Sequence, residues 1–276
     1  MKEIKLLNGD IYMIDVLLEK MKDDNFYYNT LNRHIALSSS SIKDLVPPKS
    51  AKAWYYGTGK KPSETSLRAG QLFHNAILEP DKYKKLHFSK YKTRTAKGFK
   101  EEQEKINKTL YTAGEKSFND NLLSEFTVNK RAMNALSGAS FEVPTAGYIK
   151  DIPFRGKADI VTPDGRIIDL KTTGDIDDFP KSAYAYGYDI QCYIYCTLMG
   201  ADPLGYEFIV MSKNTYDISF CTVDKSFVAQ GKERFESAID VYKKIFWNKT
   251  DEEIRETLNE MTYDQKLYSV KKYYSR

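Results

Sequence analysis

Apolar and polar positions change period several times along the chain, and each change predicts an element. Phe154 to Val161 mixes apolar and charged residues at strand spacing, and Ile167 to Thr172 is a second β-rich run. Between them, Thr162-Pro163-Asp164-Gly165 has turn chemistry: Pro fixes one φ and Gly accepts the positive φ that follows. The pair reads as a hairpin. Residues 141–148 form a strand leading into it, and 204–211 with 216–223 form a strand pair around Ser212-Lys213-Asn214-Thr215. Helical spacing predicts a helix over 65–78, with Leu67, Gly70, His74, Ile77 and Leu78 on one face. Gly inside a helix costs about 1 kcal/mol relative to Ala, so Gly70 implies a backbone packed closely against it. A Ser-rich stretch from Ser38 caps a short helix that Pro47-Pro48 stops, and 51–56 is a second short helix. Residues 98–112 and 115–136 read as polar amphipathic helices. A single helix is expected over 177–199, capped by Asp177 or Asp178, with Gly187 weakening its middle. Residues 226–247 bury Phe227, Phe235, Ile239, Tyr242 and Phe246, and 250–261 form a short acidic helix. Residues 1–37 read as a strand or short helix followed by a Tyr/Asn-rich loop, with no chemistry.

Composition narrows the class. At 276 residues, 41% apolar and 29% charged, the chain suits one sizeable soluble domain, or a domain with a helical tail. No apolar run reaches the roughly 18 residues of a membrane span. The first twenty residues carry acids and lack a small-residue cleavage site, so they do not read as a signal peptide. Three cysteines, at 192, 196 and 221, imply a reducing compartment. The net charge of +4 does not announce a nucleic-acid binder, but residues 81–100 hold eight Lys or Arg against one Asp. That segment is either a solvated loop or a contact for backbone phosphates.

The hairpin carries the candidate chemistry. Asp159 lies late in its first strand and nearly opposite Asp169, while Asp169 and Lys171, two apart, share a face. Two carboxylates that close resist ionisation unless a cation joins them, and a hard divalent ion is the natural partner. Lys171 could orient or deprotonate a water, or stabilise charge. The alternative is a surface hairpin with an Asp–Lys pair, but Ile167, Ile168 and Leu170 indicate a buried strand. His74 is either a hydrogen-bonded core residue or a ligand. Glu142 is either a further acidic ligand or an edge-strand charge. The stripe Tyr184, Tyr188, Gln191 and Tyr195 is either core or a phosphate- and base-contacting face.

The spacing of Asp159, Asp169 and Lys171, followed by Thr172-Thr173, resembles the PD-(D/E)xK nuclease core. Gly156-Lys157-Ala158-Asp159 and Asp169-Leu170-Lys171-Thr172-Thr173 are similar to the RecB-like branch, most nearly the phage and prophage exonuclease VIII (RecE) type. The Ser-rich entry helix, Gly70 to His74 with Leu78-Glu79-Pro80, and Gln191-x-x-x-Tyr195 occur in that family's order. The resemblance implies an α/β fold with a restriction-endonuclease-like core, a central mixed β-sheet flanked by helices. It implies a nuclease domain over 1–248, with N-terminal helices at 38–80, a helical insertion at 90–136, a catalytic core at 140–223 and a C-terminal helix at 226–247. Residues 249–276 would be a short helical tail. The implied activity is Mg²⁺-dependent exonucleolytic hydrolysis of double-stranded DNA ends, supplying single strands for phage-type recombination, with Mn²⁺ able to substitute. Asp159, Asp169 and the Leu170 main-chain carbonyl would hold one ion, and His74 with Asp159 a second, with Glu142 as a further ligand. Lys171 would align the attacking water. Gln191, Tyr195, Lys92, Arg94 and Lys97 would position the strand. The cytoplasm of a bacterium or phage-infected host, a homo-oligomer and a single-strand annealing partner are the expectations for context. Relatives with an iron–sulfur cluster use four cysteines, and this chain has three, so none is expected. The alternatives are an endonuclease of the same fold, a non-catalytic DNA-binding module on a nuclease scaffold, and a metal protein that binds no nucleic acid.

Overall fold

The computed structural model describes residues 2–262, apart from positions 48, 60–62 and 107. Pro48 of the expected Pro47-Pro48 stop, and 263–276 of the expected tail, lie outside the described residues. The chain opens with an antiparallel pair, β1 (Glu3–Lys5) and β2 (Ile11–Met13), then α1 (Ile14–Lys20) and a π-helical turn over Phe26–Thr30. Next come α2 (Ser39–Ile42), α3 (Ala51–Tyr56), α4 (Glu64–Leu78) and α5 (Pro80–Tyr83). The two-residue strands β3 (His87–Phe88) and β4 (Leu110–Tyr111) flank α6 (Lys97–Lys105), and α7 (Ala113–Val128) and α8 (Lys130–Leu136) follow. The central sheet takes the chain in order: β5 (Ser140–Ile149), β6 (Ile152–Val161), β7 (Ile167–Thr173), β8 (Glu207–Ser212) and β9 (Ile218–Thr222). Within this sheet only β7 and β8 pair in parallel, joined by a crossover holding α9 (Phe179–Tyr186) and α10 (Tyr188–Met199). Helices α11 (Lys225–Ile245) and α12 (Asp251–Glu260) follow the sheet. This is the expected α/β architecture, a mixed sheet flanked by helices.

Helices cover both faces. On one, Phe154, Ala158, Phe208 and Val210 share a core with Ile190 and Ile194 of α10 and Phe235 and Ile239 of α11. On the other, Ile160, Ile168, Leu170 and Ile209 meet Phe73 and Leu78 of α4 and Leu122 and Phe126 of α7. A third, smaller core gathers Ile4, Leu17, Met21, Tyr27 and Leu31 beside Ala146 of β5. The first 37 residues, read from sequence as lacking chemistry, therefore form a folded cap over the edge of the sheet.

Several expectations need correction. The buried residues of α4 are Leu72, Phe73, Asn75 and Leu78, because only its second half meets the core; Leu67 is 54% exposed. No backbone presses on Gly70: a Cβ there would meet the Thr172 hydroxyl at an ordinary 3.6 Å. The helix expected over 177–199 is two, since Gly187 turns left-handed at φ +71°, ending α9 and starting α10. Asp178 makes no cap bond there and pairs with Lys181 at 2.7 Å. The helix expected over 98–112 likewise ends at Lys105, and Leu110–Tyr111 is strand.

Helices α10 and α11 cross at near contact. A Cβ on Gly231 would lie 2.2 Å from the Asp189 carbonyl oxygen, and buried Asp189 is held from α11 by Arg234 at 2.8 Å and Gln230 at 3.0 Å. In an open helix Gly→Ala stabilises; here it forces apart two packed backbones. Gly231→Ala is expected to lower stability by about 1–3 kcal/mol. Thermal unfolding should show this as a fall in midpoint of a few degrees, against the rise that helix propensity alone predicts.

Candidate active site

The site begins where two strands part. β6 and β7 pair only through Ile160 with Ile168 and Val161 with Ile167. One residue further along β6, the Asp159 carboxylate replaces the lost ladder bond: its Oδ2 accepts the Leu170 N–H at 2.8 Å. Asp169, fully buried, stands opposite. Its Oδ1 accepts from Gln191 Nε2 at 2.8 Å, and its Oδ2 lies 2.5 Å from Lys171 Nζ. The Lys171 ammonium also sits over the Tyr188 ring, 4.6 Å from its centre.

His74 on α4 and Glu142 on β5 close the cluster. His74 Nδ1 is 3.6 Å from Asp159 Oδ2, too long for a hydrogen bond. Glu142 faces Asp159 across the β5–β6 ladder, between the paired residues Phe141 and Val143, yet its φ is +48°. A left-handed non-Gly residue inside a strand costs on the order of 1–3 kcal/mol and tends to occur at functional sites. One donor atom each from His74, Glu142 and Asp159 falls within 4.8 Å of the others. The compact donor set among the described residues is thus His74, Glu142 and Asp159, the residues expected to serve the second ion together with the expected further ligand, while the Asp169 carboxylate lies between Lys171 and Gln191. The Leu170 main chain lies on this side beside His74 and opposes the fall of its pKa.

Burial dominates the electrostatics. It pushes Glu142 up to about 8, helped by the neighbouring charges of Asp159 and Glu79. It pushes Asp169 up to about 7 against the pull of Lys171, and it raises Asp159 as well. Burial, then Lys171, pulls His74 down to about 4, so the imidazole is neutral at pH 7 and a nitrogen is free to ligate. Burial would also lower Lys171, but Asp169, Tyr188 and Asp159 outweigh it and hold the ammonium charged. Reluctant carboxylates and a neutral imidazole make a set that a divalent cation fits.

The other expected residues fall in different places. Gln191 and Tyr195 adjoin the site but turn inward: Gln191 orients Asp169, and Tyr195, 7% exposed, lies where a Cβ on Gly156 would meet its ring at 2.7 Å. The motif marked the right neighbourhood and the wrong direction. Arg94 is tied to Glu64 at 3.3 Å, Glu115 at 3.5 Å and the Leu110 carbonyl at 3.1 Å, so it braces its own loop. Lys92 and Lys97 are exposed, with Lys97 3.9 Å from Glu101. Sequence reasoning missed Lys157, whose ammonium lies 3.9 Å from Glu142 and 3.0 Å from Asp24 in the N-terminal cap. Its position two residues before Asp159 was the available signal.

Residues 38–257 match the family model of the PDDEXK-like domain of unknown function DUF3799, and the chain belongs to that family. A crystal structure from Eubacterium rectale, described as a candidate exonuclease, superposes with a TM-score of 0.59 at 16% identity, over 92% of this chain and 97% of that one. That likeness concerns the fold alone. A phage-related exonuclease from Haemophilus somnus 129PT aligns at 21% identity over 80% of this chain and 97% of its own, with a TM-score of 0.32, too loose to argue from. No curated protein matches the sequence significantly. No helix among the described residues is long and apolar enough to cross a membrane.

The raised acids set a pH dependence. Glu142, ordinarily near 4.5, titrates near 8 in the fold, so between those values the folded chain holds its proton more tightly than the unfolded one. Stability therefore falls as pH rises through that window. His74 acts oppositely, but only below its ordinary 6.5. Thermal melts in chelator should thus drop between about pH 6.5 and pH 8.5, and Mg²⁺ or Mn²⁺ should restore more at the higher pH, where fewer protons compete. Glu142→Gln should flatten both responses.

Proposed function

We propose that this PDDEXK-like protein is a metal-dependent deoxyribonuclease that resects the ends of duplex DNA, and that the single strands it leaves serve phage-type recombination. The observation that carries the reading is the meeting of His74, Glu142 and Asp159 with the Asp169–Lys171 ion pair where β6 and β7 part. A phosphodiester resists hydrolysis because its charge repels a nucleophile and its leaving oxygen needs neutralising. A divalent cation held by His74, Glu142 and Asp159 would supply that neutralisation, and Mg²⁺ or Mn²⁺ suits the oxygen-rich donors. Lys171, kept charged by Asp169, places a fixed positive charge beside the reacting phosphate and orients the attacking water. Gln191 fixes the rotamer of Asp169, and Asp169 in turn fixes Lys171. Lys92 and Lys97, both exposed in the basic segment, would meet backbone phosphates.

The end-directed mode rests on the RecE-type order of motifs from the entry helix to Gln191 and Tyr195. The same resemblance supports a homo-oligomer, a single-strand annealing partner, and residues 1–248 as the nuclease unit. Linear duplex labelled at each end separately, incubated with Mg²⁺ or with chelator, tests the reading. The protein should shorten the linear duplex only with metal and leave a covalently closed circle intact. Asp169→Asn and Lys171→Ala should each lower the rate on the order of 10²- to 10³-fold or more while the melting curve persists. Cutting of the closed circle would make it an endonuclease, and unimpaired activity in either variant would overturn the roles assigned.

A further inference from the structure

From the way the N-terminal cap meets the acid cluster, we infer that Tyr28 is a base-stacking platform at the mouth of the site, positioning the nucleotide at the strand end. The inference rests on the nuclease reading above. The helical turn at Phe26–Thr30 widens to π geometry, a local irregularity frequent at functional sites. It presents two consecutive rings in opposite senses. Tyr27 is 6% exposed, with the Arg155 guanidinium 4.3 Å and the Lys157 ammonium 4.7 Å from its ring centre. Tyr28 is 61% exposed and stands at 90° to Tyr27, centroids 4.8 Å apart. The buried ring thus supports the exposed one.

The turn is tied to the site at a second point. Asp24 is held by Lys157 at 3.0 Å and by Lys82, and Lys82 also reaches Glu79 at 3.0 Å at the end of α4. Lys157 Nζ lies 5.6 Å from the Tyr28 ring centre and 3.9 Å from the Glu142 carboxylate, so one buried ammonium spans the gap between ring and acids. A single exposed aromatic is ordinary on a protein surface. This one differs in being propped by another ring, fixed by an ion pair whose lysine is buried, and set beside the proposed cleavage point with a face open to solvent. An aromatic face so placed favours a flat partner, and a nucleobase offers one whatever its sequence.

Duplexes carrying 2-aminopurine as the terminal base report stacking as fluorescence quenching. They are bound to full-length protein with Asp169→Asn, which slows turnover, in Mg²⁺. Quenching should appear in this background, persist with Tyr28→Phe and vanish with Tyr28→Ala. In the cleaving protein Tyr28→Ala should raise KM for linear duplex roughly 5- to 100-fold, with kcat changed much less, and Tyr28→Phe should rescue it. Tyr56→Ala, which removes an exposed ring on α3, is the control and should change neither measure. Quenching and KM that survive Tyr28→Ala, or are lost equally in the Phe variant, overturn the inference while leaving the nuclease reading intact. Unsubstituted protein that neither binds nor cleaves duplex overturns both.

Discussion

The site depends on an interrupted strand pairing. β6 and β7 hold together for two residue pairs, enough to fix their register and bring Asp159 opposite Asp169. Had the ladder continued, both acids would lie against a closed sheet and the Leu170 N–H would be taken by main chain. Instead β7 turns to pair with β8 in parallel from Ile168 to Thr173, and the Asp159 side chain accepts the freed donor. A buried N–H left unpaired costs about 1–3 kcal/mol, so this contact stabilises the opening and also fixes the carboxylate. The crossover that parallel pairing requires carries α10, and α10 delivers Gln191 and Tyr188 to the same opening.

The hairpin was readable because its logic is local. Strand alternation, turn chemistry and the two-residue spacing of Asp169 and Lys171 specify which side chains share a face, and the 2.5 Å ion pair follows from that spacing. His74 was readable as facing inward, though not which neighbours it meets, since the buried stripe of α4 lies one step round from the one periodicity suggests. What could not be read depends on contacts far apart in sequence. Lys157 and Asp24 are 133 residues apart, and nothing in the period of residues 1–37 shows that they cap β6. Glu142 presented a similar difficulty. Its spacing places it opposite Asp159, but the left-handed backbone at that position, with no Gly to mark it, is set by tertiary packing. Gln191 and Tyr195 fail differently: a motif reports that residues belong together, not whether they face substrate or brace the residues that do.

The cap and the acid cluster compete for one cation. Lys157 is almost fully buried, so its ammonium needs a partner inside the protein. Two carboxylates lie within reach, and it sits 3.0 Å from Asp24 and 3.9 Å from Glu142. With Lys157 turned to Asp24, Glu142 faces Asp159 with little neutralisation, and burial and that neighbour then raise it to about 8. Were the lysine turned fully to Glu142, the cluster would carry its own counter-ion and its demand for a divalent cation would weaken. Asp24, also gripped by Lys82, holds the lysine off. A turn near the start of the chain thereby keeps the central acids short of positive charge, which is the condition under which a metal binds them. The residues that place Tyr28 at the rim are the same ones, so the base platform we infer and the acids' demand for a cation would share one structural origin.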